Sequence, residues 1–107
     1  MRRGDLVTVA MPGDYGKPRP ALVIQADQFS EVDSVTVVFI TGTITAAPLL
    51  RLTVEPTSDN GLRKRSQIMI DKIMTVRRER LGEPFCRLDD ETMLALNRAI
   101  VLFLGLA

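Results

Sequence analysis

The 107-residue sequence contains no histidine and no tryptophan, and it has a single cysteine, Cys86. Histidine is the side chain that most often transfers protons near neutral pH. Its absence therefore excludes a Ser-His-Asp triad and leaves acid–base chemistry to arginine, lysine, carboxylates, hydroxyls or bound water. One cysteine excludes an intrachain disulfide and, without histidine, it disfavours a zinc site. We therefore expect no metal and no cofactor.

The sequence also lacks long apolar runs and a strong net charge. The longest apolar run, residues 99–104, is too short to span a membrane, and no apolar core follows the basic N-terminal segment MRRGDLV. The formal net charge is +1, with 46% hydrophobic and 25% charged residues. These values predict one globular domain over residues 1–107, without a signal peptide and located in the cytoplasm.

The segments that are present indicate a mainly β fold. Residues 56–62 contain Asn60-Gly61, a strong turn signal, and residues 26–34 are polar enough for a loop with one short helical turn. Alternation and β-branched residues predict strands at Asp5–Met11, Ala21–Gln25, Val35–Thr43, Leu50–Glu55, Ser66–Ile70 and Ile73–Val76. The last two strands are separated by Asp71-Lys72. This pattern predicts a small, strongly curved antiparallel sheet.

The C-terminal segment LDDETMLALNRAIVLFLGL has helical periodicity. An N-cap is expected at Asp89 or Asp90, and Asn97 is the one polar interruption on the apolar face. That face is formed by Met93, Leu96, Ile100 and Phe103. Because further apolar residues extend it, the helix is either buried in its own domain or shared with a second subunit.

The segment GDYGKPRPALVIQ places polar residues directly before an apolar strand. Pro18 and Pro20 stiffen the backbone on both sides of Arg19, and Asp14 and Lys17 lie close by in sequence. Glycine and proline explain a turn, but they do not explain this group of charges. The segment is either a functional site or a solvated turn.

Four segments in this order resemble the MazF/PemK toxins: RRGDLVTV, G-x-x-RPALVIQ, VVFIT, and GLRKRSQIMIDKIMTVRRERLG followed by a terminal helix. The resemblance covers almost the whole chain. It implies an SH3-like small β-barrel of the CcdB/MazF/PemK type with a C-terminal helix, and a homodimer. It also implies a metal-independent endoribonuclease that cuts single-stranded RNA to a 2′,3′-cyclic phosphate and a 5′-hydroxyl. The implied inhibitor is a cognate antitoxin whose acidic tail covers the RNA groove.

The same resemblance implies roles for individual residues. Arg19 matches the catalytic arginine and Thr41 the active-site threonine, while Asp14 and Asp71 match acidic positions. RNA-binding or antitoxin-binding roles are implied for Lys17, Ser66, Arg63, Lys64 and Arg65. Each residue also has an ordinary structural alternative, such as a strand-end hydroxyl, a turn residue or a solvated charge.

RNA cleavage by its own 2′-hydroxyl requires a base, stabilisation of charge at the phosphorane, and a proton for the leaving oxygen. A guanidinium offers fork-shaped donors and stays charged, which suits Arg19 to charge stabilisation. Relatives of the PemK type can carry a second arginine where this chain has Met69. Asp14, Lys17 and Asp71 therefore remain as candidates for proton transfer.

Two other functions are alternatives for this sequence. A gyrase-poisoning toxin of the CcdB type shares the implied fold, but its mechanism depends on a C-terminal tryptophan that this chain lacks. A binding module with weakened catalysis is the second, because of Met69. For assembly, we expect a two-fold interface formed by the C-terminal helix together with residues 37–40. The RNA sequence that is cut depends on the loop around Asp14 and on the segment TGTITAAP, residues 41–48.

Overall fold

The structure, a computed structural model, describes residues 1–13 and 17–106. Within these residues the chain forms six β-strands, two single-turn 3-10 helices at Asp27–Phe29 and Arg78–Arg80, and one α-helix. The strands are β1 Asp5–Ala10, β2 Pro18–Val23, β3 Ser34–Thr41, β4 Arg51–Val54, β5 Ser66–Arg77 and β6 Cys86–Arg87, and the helix is α1 Asp90–Leu104. All strand pairs are antiparallel, and the strands form one curled sheet in the order β4-β5-β3-β2-β1-β6.

Alternation along the strands produces two apolar cores, one on each face of the sheet. On β2, for example, Leu22 belongs to one core, and Ala21 and Val23 belong to the other. The first core includes Met93 and Leu96, so it lies between the sheet and α1. The second core contains no residue of α1 and lies on the opposite face of the sheet. We call this face the outer face because α1 does not cover it, although its core residues are buried.

Strand β5 is longer than the sequence predicts, because one irregular strand replaces two short ones. Val38 of β3 pairs with Ile73, whereas Ile40 pairs with Ile68. Over this stretch β3 advances by two residues and β5 by five, so β5 carries three extra residues in a bulge. Asp71 and Lys72 lie in this bulge, where sequence reasoning expects a break between strands.

Helix α1 begins after Asp89, whose side chain accepts a hydrogen bond from the backbone N–H of Thr92. Hydrogen bonds from Thr92 also lower the pKa of Asp89. Gly105, with a φ of 70°, ends the helix in the left-handed conformation that glycine favours. Several apolar side chains near the C-terminus of the helix nevertheless remain exposed, namely those of Leu102, Phe103 and Leu104.

The predicted mainly β fold with a C-terminal helix is confirmed, and of the two predicted caps, Asp89 and Asp90, the helix uses Asp89. The expectation that residues 37–40 contribute to a subunit interface is wrong. Strand β3 pairs on both sides, and all four side chains are buried within the protomer, with at most 8% exposed. Within the part of the chain that the structure describes, no helix is long and apolar enough to cross a membrane.

Candidate active site

Strand register brings Arg19, at the start of β2, close to Thr41, at the end of β3. Arg19 lies opposite Val9 on β1. Ala21 lies opposite Phe39, and continuing that register by two residues places Arg19 opposite Thr41, the last residue of β3. Thr41 in turn lies opposite Gln67. Because opposed residues in an antiparallel sheet project to the same face, these side chains form a row on the outer face.

The start of β2, which carries Arg19, pairs only with β1. The β2–β3 ladder begins at Ala21, whereas the β1–β2 ladder extends back to Pro18. Pro18 and Pro20 have no N–H group to contribute to a second ladder, which explains why β3 does not pair here. Arg19 is exposed on this stretch of β2, next to the end of β3.

Thr41 is half-buried, and its hydroxyl has a defined role in the turn that follows β3. The backbone N–H of Thr43 donates to Thr41 Oγ1 over 3.1 Å. This bond occupies an acceptor site on the oxygen and leaves the hydroxyl hydrogen to be donated. Within the described residues no acceptor for that hydrogen is found. Thr41 is therefore suited to donate to an anionic oxygen.

Lys64 lies against the same turn. A Cβ atom placed on Gly42 would be 2.5 Å from Lys64 Nζ, so the lysine side chain packs directly over the glycine that follows Thr41. Only a residue without a side chain permits this close approach. Lys64 is exposed, and its ammonium adds a second positive charge beside the row formed by Arg19 and Thr41.

Asp71 forms an ion pair that sequence reasoning missed. Arg51 Nη1 lies 2.5 Å from Asp71 Oδ1, and the two side chains are 17% and 24% exposed. The hydrogen bond from Arg51 lowers the pKa of Asp71, and Lys72 Nζ, 3.8 Å from the other carboxylate oxygen, acts in the same direction. Arg51 lies opposite Met69, so a guanidinium from β4 stands beside the position where relatives can carry arginine on β5.

The remaining predicted binding residues differ in their exposure and in their partners. Ser66 is only 6% exposed, and its hydroxyl donates to the carbonyl oxygen of Lys64. It therefore helps to hold the backbone of the basic segment, residues 63–65. Arg65 forms an ion pair with Glu55 at 2.8 Å. Lys17 and Arg63 are exposed. Asp14 lies outside the described residues, so the structure does not test its predicted role.

Comparison with known proteins places the chain in a family. A family model described as "PemK-like, MazF-like toxin of type II toxin-antitoxin system" matches residues 2–104. The chain belongs to this family. A curated relative named "Probable endoribonuclease MazF", from Mycolicibacterium smegmatis, is 50% identical over 108 aligned positions that cover 100% of this chain and 99% of the relative. The "Endoribonuclease MazF" of Staphylococcus saprophyticus is 33% identical over 99% of this chain and 92% of the relative.

The fold of this PemK/MazF-family toxin agrees with that of solved structures. A mycobacterial endoribonuclease solved in complex with its cognate antitoxin superimposes with a TM-score of 0.83 over 100% of this chain and 97% of the other, at 22% identity. The family, the fold class and the endoribonuclease class expected from the sequence are therefore confirmed. The roles of individual site residues remain predictions.

Proposed function

We propose that this toxin cleaves single-stranded RNA on the outer face, at the row formed by Arg19 and Thr41. The 2′-hydroxyl of the RNA attacks the adjacent phosphate, and the products are a 2′,3′-cyclic phosphate and a 5′-hydroxyl. The observation that supports this site most directly is the register of β2 and β3. It aligns a guanidinium and a hydroxyl donor on the same face, beside a stretch where the two strands do not pair.

The charges and donors fit a phosphate in its transition state. The guanidinium of Arg19 donates to the non-bridging oxygens and stabilises the extra negative charge that develops on them. Thr41 donates its hydroxyl hydrogen to the same group, and the ammonium of Lys64 over Gly42 raises the local positive potential. The strands set the backbone positions of Arg19 and Thr41 before the substrate arrives, which limits the reorganisation needed during the reaction.

In this proposal, residues that precede Arg19 in the chain transfer the protons, and Asp71 does not. The carboxylate of Asp71 accepts from Arg51 and its pKa is lowered, so at neutral pH it holds no proton to give and is a weak base. Asp14 and Lys17 precede Arg19 in the chain and remain the candidates for base and acid. The proposal needs no metal ion, because attack by the 2′-hydroxyl requires only these groups.

The proposed active form is a homodimer. Leu94, Leu102 and Leu104 on α1 are between 51% and 62% exposed, and burying them would remove apolar surface from water. A two-fold arrangement is the commonest closed assembly, and it would bring the apolar ends of two helices together. The interface proposed here uses α1 without residues 37–40.

The proposed partner is a cognate antitoxin with an acidic segment. Lys17, Arg19 and Lys64 are exposed cations beside the candidate site, and an acidic segment lying across them would exclude RNA. The mycobacterial relative was solved with its cognate antitoxin, which supports a partner of this class.

The decisive experiment measures cleavage of one defined RNA by wild type, Arg19→Ala, Arg19→Lys and Arg77→Ala. Arg77 is an exposed arginine at the far end of β5 and serves as the control. We expect Arg19→Ala to lose about 10²–10³ in rate, as for other transition-state donors. Arg19→Lys should recover little of the lost rate, since the point charge of an ammonium cannot replace the planar, bidentate donors of a guanidinium. EDTA should leave the wild-type rate unchanged.

Circular dichroism must show that all four proteins are folded. Arg19→Ala cleaving within a few-fold of wild type would overturn the proposed site. In that case Arg19 would be a solvated turn residue.

A further inference from the structure

A buried glutamine, Gln67, uses its whole amide group to hold the loop that follows β3. Its side-chain oxygen accepts from the backbone N–H of Thr45 over 3.0 Å, and its amide nitrogen donates to the carbonyl oxygen of Thr45 over 3.1 Å. The same nitrogen donates to Thr53 Oγ1 over 3.2 Å. Gln67 is only 3% exposed, so this amide is fully paired inside the protein.

The two hydrogen bonds between Gln67 and Thr45, which we call the Gln67 clamp, lie next to the candidate active site. Gln67 lies between Thr41 and Thr53 in the row on the outer face, opposite Thr41 on one side and Thr53 on the other. Thr45 belongs to the loop of residues 42–50, which begins directly after Thr41. One buried side chain therefore fixes a loop next to a proposed phosphate donor.

Two anchors flank Ile44, one of several exposed residues of this loop. Thr43 is held by Thr41 Oγ1, and Thr45 is held by Gln67 on both its N–H and its carbonyl group. Between them, Ile44 is 45% exposed. Pairing both backbone groups of Thr45 sets the direction of the chain as well as its place, as a ladder pair does in a sheet. The backbone at Ile44 is therefore held on both sides before any ligand binds.

We propose that Gln67 is a specificity-determining positioning residue, which holds Ile44 against the base next to the scissile phosphate. The inference rests on the proposed function, because it requires RNA to pass over Thr41. Unpaired bases of single-stranded RNA expose their faces and edges to such loops. A contact with a base selects sequence only if the loop holds one conformation, and the Gln67 clamp provides that constraint.

The test compares the sequence preference of wild type, Gln67→Met, Thr53→Val and Ile44→Ala by mapping cleavage ends on a long RNA. Gln67→Met keeps the size of the side chain and removes both bonds to Thr45. Thr53→Val removes one partner of Gln67 and keeps those bonds, so it is the matched control. The readout is the ratio of kcat/KM for the preferred site to that for sites changed at one base.

We expect Gln67→Met to lower that ratio by about 10-fold, the order of discrimination that a single apolar contact provides. Ile44→Ala should lower it at the same RNA position, and Thr53→Val should leave it near the wild-type value. If Gln67→Met changes the overall rate of cleavage but has the same ratio as wild type, the positioning role is overturned.

If Gln67→Met is unfolded by circular dichroism, Ile44→Ala decides, since its side chain is exposed and its removal spares the core. An unchanged ratio for Ile44→Ala would overturn the inference and leave the proposed function intact. Absence of RNA cleavage by the wild type would overturn the proposed function and this inference with it.

Discussion

Arg51 donates through Nη1 to Asp71 Oδ1 over 2.5 Å and through the same nitrogen to the carbonyl oxygen of Leu50 over 2.8 Å. The pair connects β4 to the bulge of β5 on the face that carries Arg19 and Thr41. A bulge interrupts the ladder and needs other contacts to fix its shape. We infer that this ion pair sets the shape of the bulge and thereby supports the proposed site.

Removal of Arg51 is expected to destabilise the protein more than removal of an exposed arginine. Both side chains of the Arg51–Asp71 pair are mostly shielded, whereas Arg77 and its partner Glu79 are 80% and 73% exposed and 3.8 Å apart. Exposed pairs contribute little to stability, and a carboxylate that loses its shielded partner is left poorly solvated. Urea unfolding of Arg51→Ala and Arg77→Ala should show a lower midpoint only for Arg51→Ala. Equal midpoints would contradict a structural role for the pair.

The stability of the wild type is expected to fall in acid, partly because of this pair. Since the folded-state pKa of Asp71 is lowered, its contribution is complete above the unfolded value of about 3.9 and is lost as the pH falls through the folded value. Arg51→Ala should therefore lose less stability than wild type between about pH 6 and about pH 3. Urea midpoints across this range provide the measurement.

Asp89 also has a lowered pKa, through its bonds with Thr92 at the start of α1. The acid sensitivity that remains in Arg51→Ala is expected to come partly from this cap. An identical loss of midpoint in wild type and Arg51→Ala would show that the Arg51–Asp71 pair does not contribute.

The hydroxyl of Thr41 is expected to matter for cleavage through its hydrogen rather than through its size. Thr41→Ser keeps both the acceptor for the N–H of Thr43 and the donor, so its rate should stay within a few-fold of wild type. Thr41→Val keeps the shape and removes both, and its rate should fall by up to about 10². Single-turnover cleavage of one RNA tests this. Equal rates for the two variants would remove Thr41 from the mechanism.

Local rules were enough to predict the elements whose signals lie within a few residues. The acidic turn before an apolar periodic segment predicts α1 and a cap at Asp89 or Asp90. Runs of β-branched residues predict β1, β3 and β4 within one or two residues of their bounds. The two-residue strand β6 was not predicted, because Cys86 and Arg87 form a strand only by pairing with β1.

Long-range pairs were beyond sequence reasoning. Asp71-Lys72 indicated a turn from its polarity, and only the register with β3 shows that it is a bulge. Arg51 is a polar position of an alternating strand, and nothing local connects it to a residue 20 positions away. Gln67 likewise had no local signal for a buried clamp. Such residues are recognised only after the strands are paired.

Dimerisation is expected to depend on the exposed apolar residues of α1. Leu102 is 62% exposed, and Leu102→Asp places a charge where the proposed interface would exclude water, which is strongly unfavourable. Val32, 47% exposed in the loop before β3, provides the control Val32→Asp. Light scattering at micromolar concentration should give a dimer for wild type and Val32→Asp and a monomer for Leu102→Asp. A wild-type monomer, or a dimeric Leu102→Asp, would contradict the α1 interface.

Binding of an acidic antitoxin segment is expected to weaken as salt increases, since exposed charges are screened over about 8 Å at physiological ionic strength. Lys64 is the informative residue, because it lies over Gly42 beside Thr41 and, among the described residues, it has no ion-pair partner. Lys64→Gln should weaken binding and reduce its dependence on salt, whereas Arg77→Gln, at the other end of β5, should change neither.

Titration of the toxin with a peptide rich in aspartate and glutamate, at several salt concentrations, measures both quantities. The same peptide should inhibit cleavage of RNA in competition, because the two ligands share the cations around Arg19. An affinity that is independent of salt, or equal losses for Lys64→Gln and Arg77→Gln, would place the acidic segment elsewhere on the protein. Inhibition without competition would separate the antitoxin surface from the RNA site.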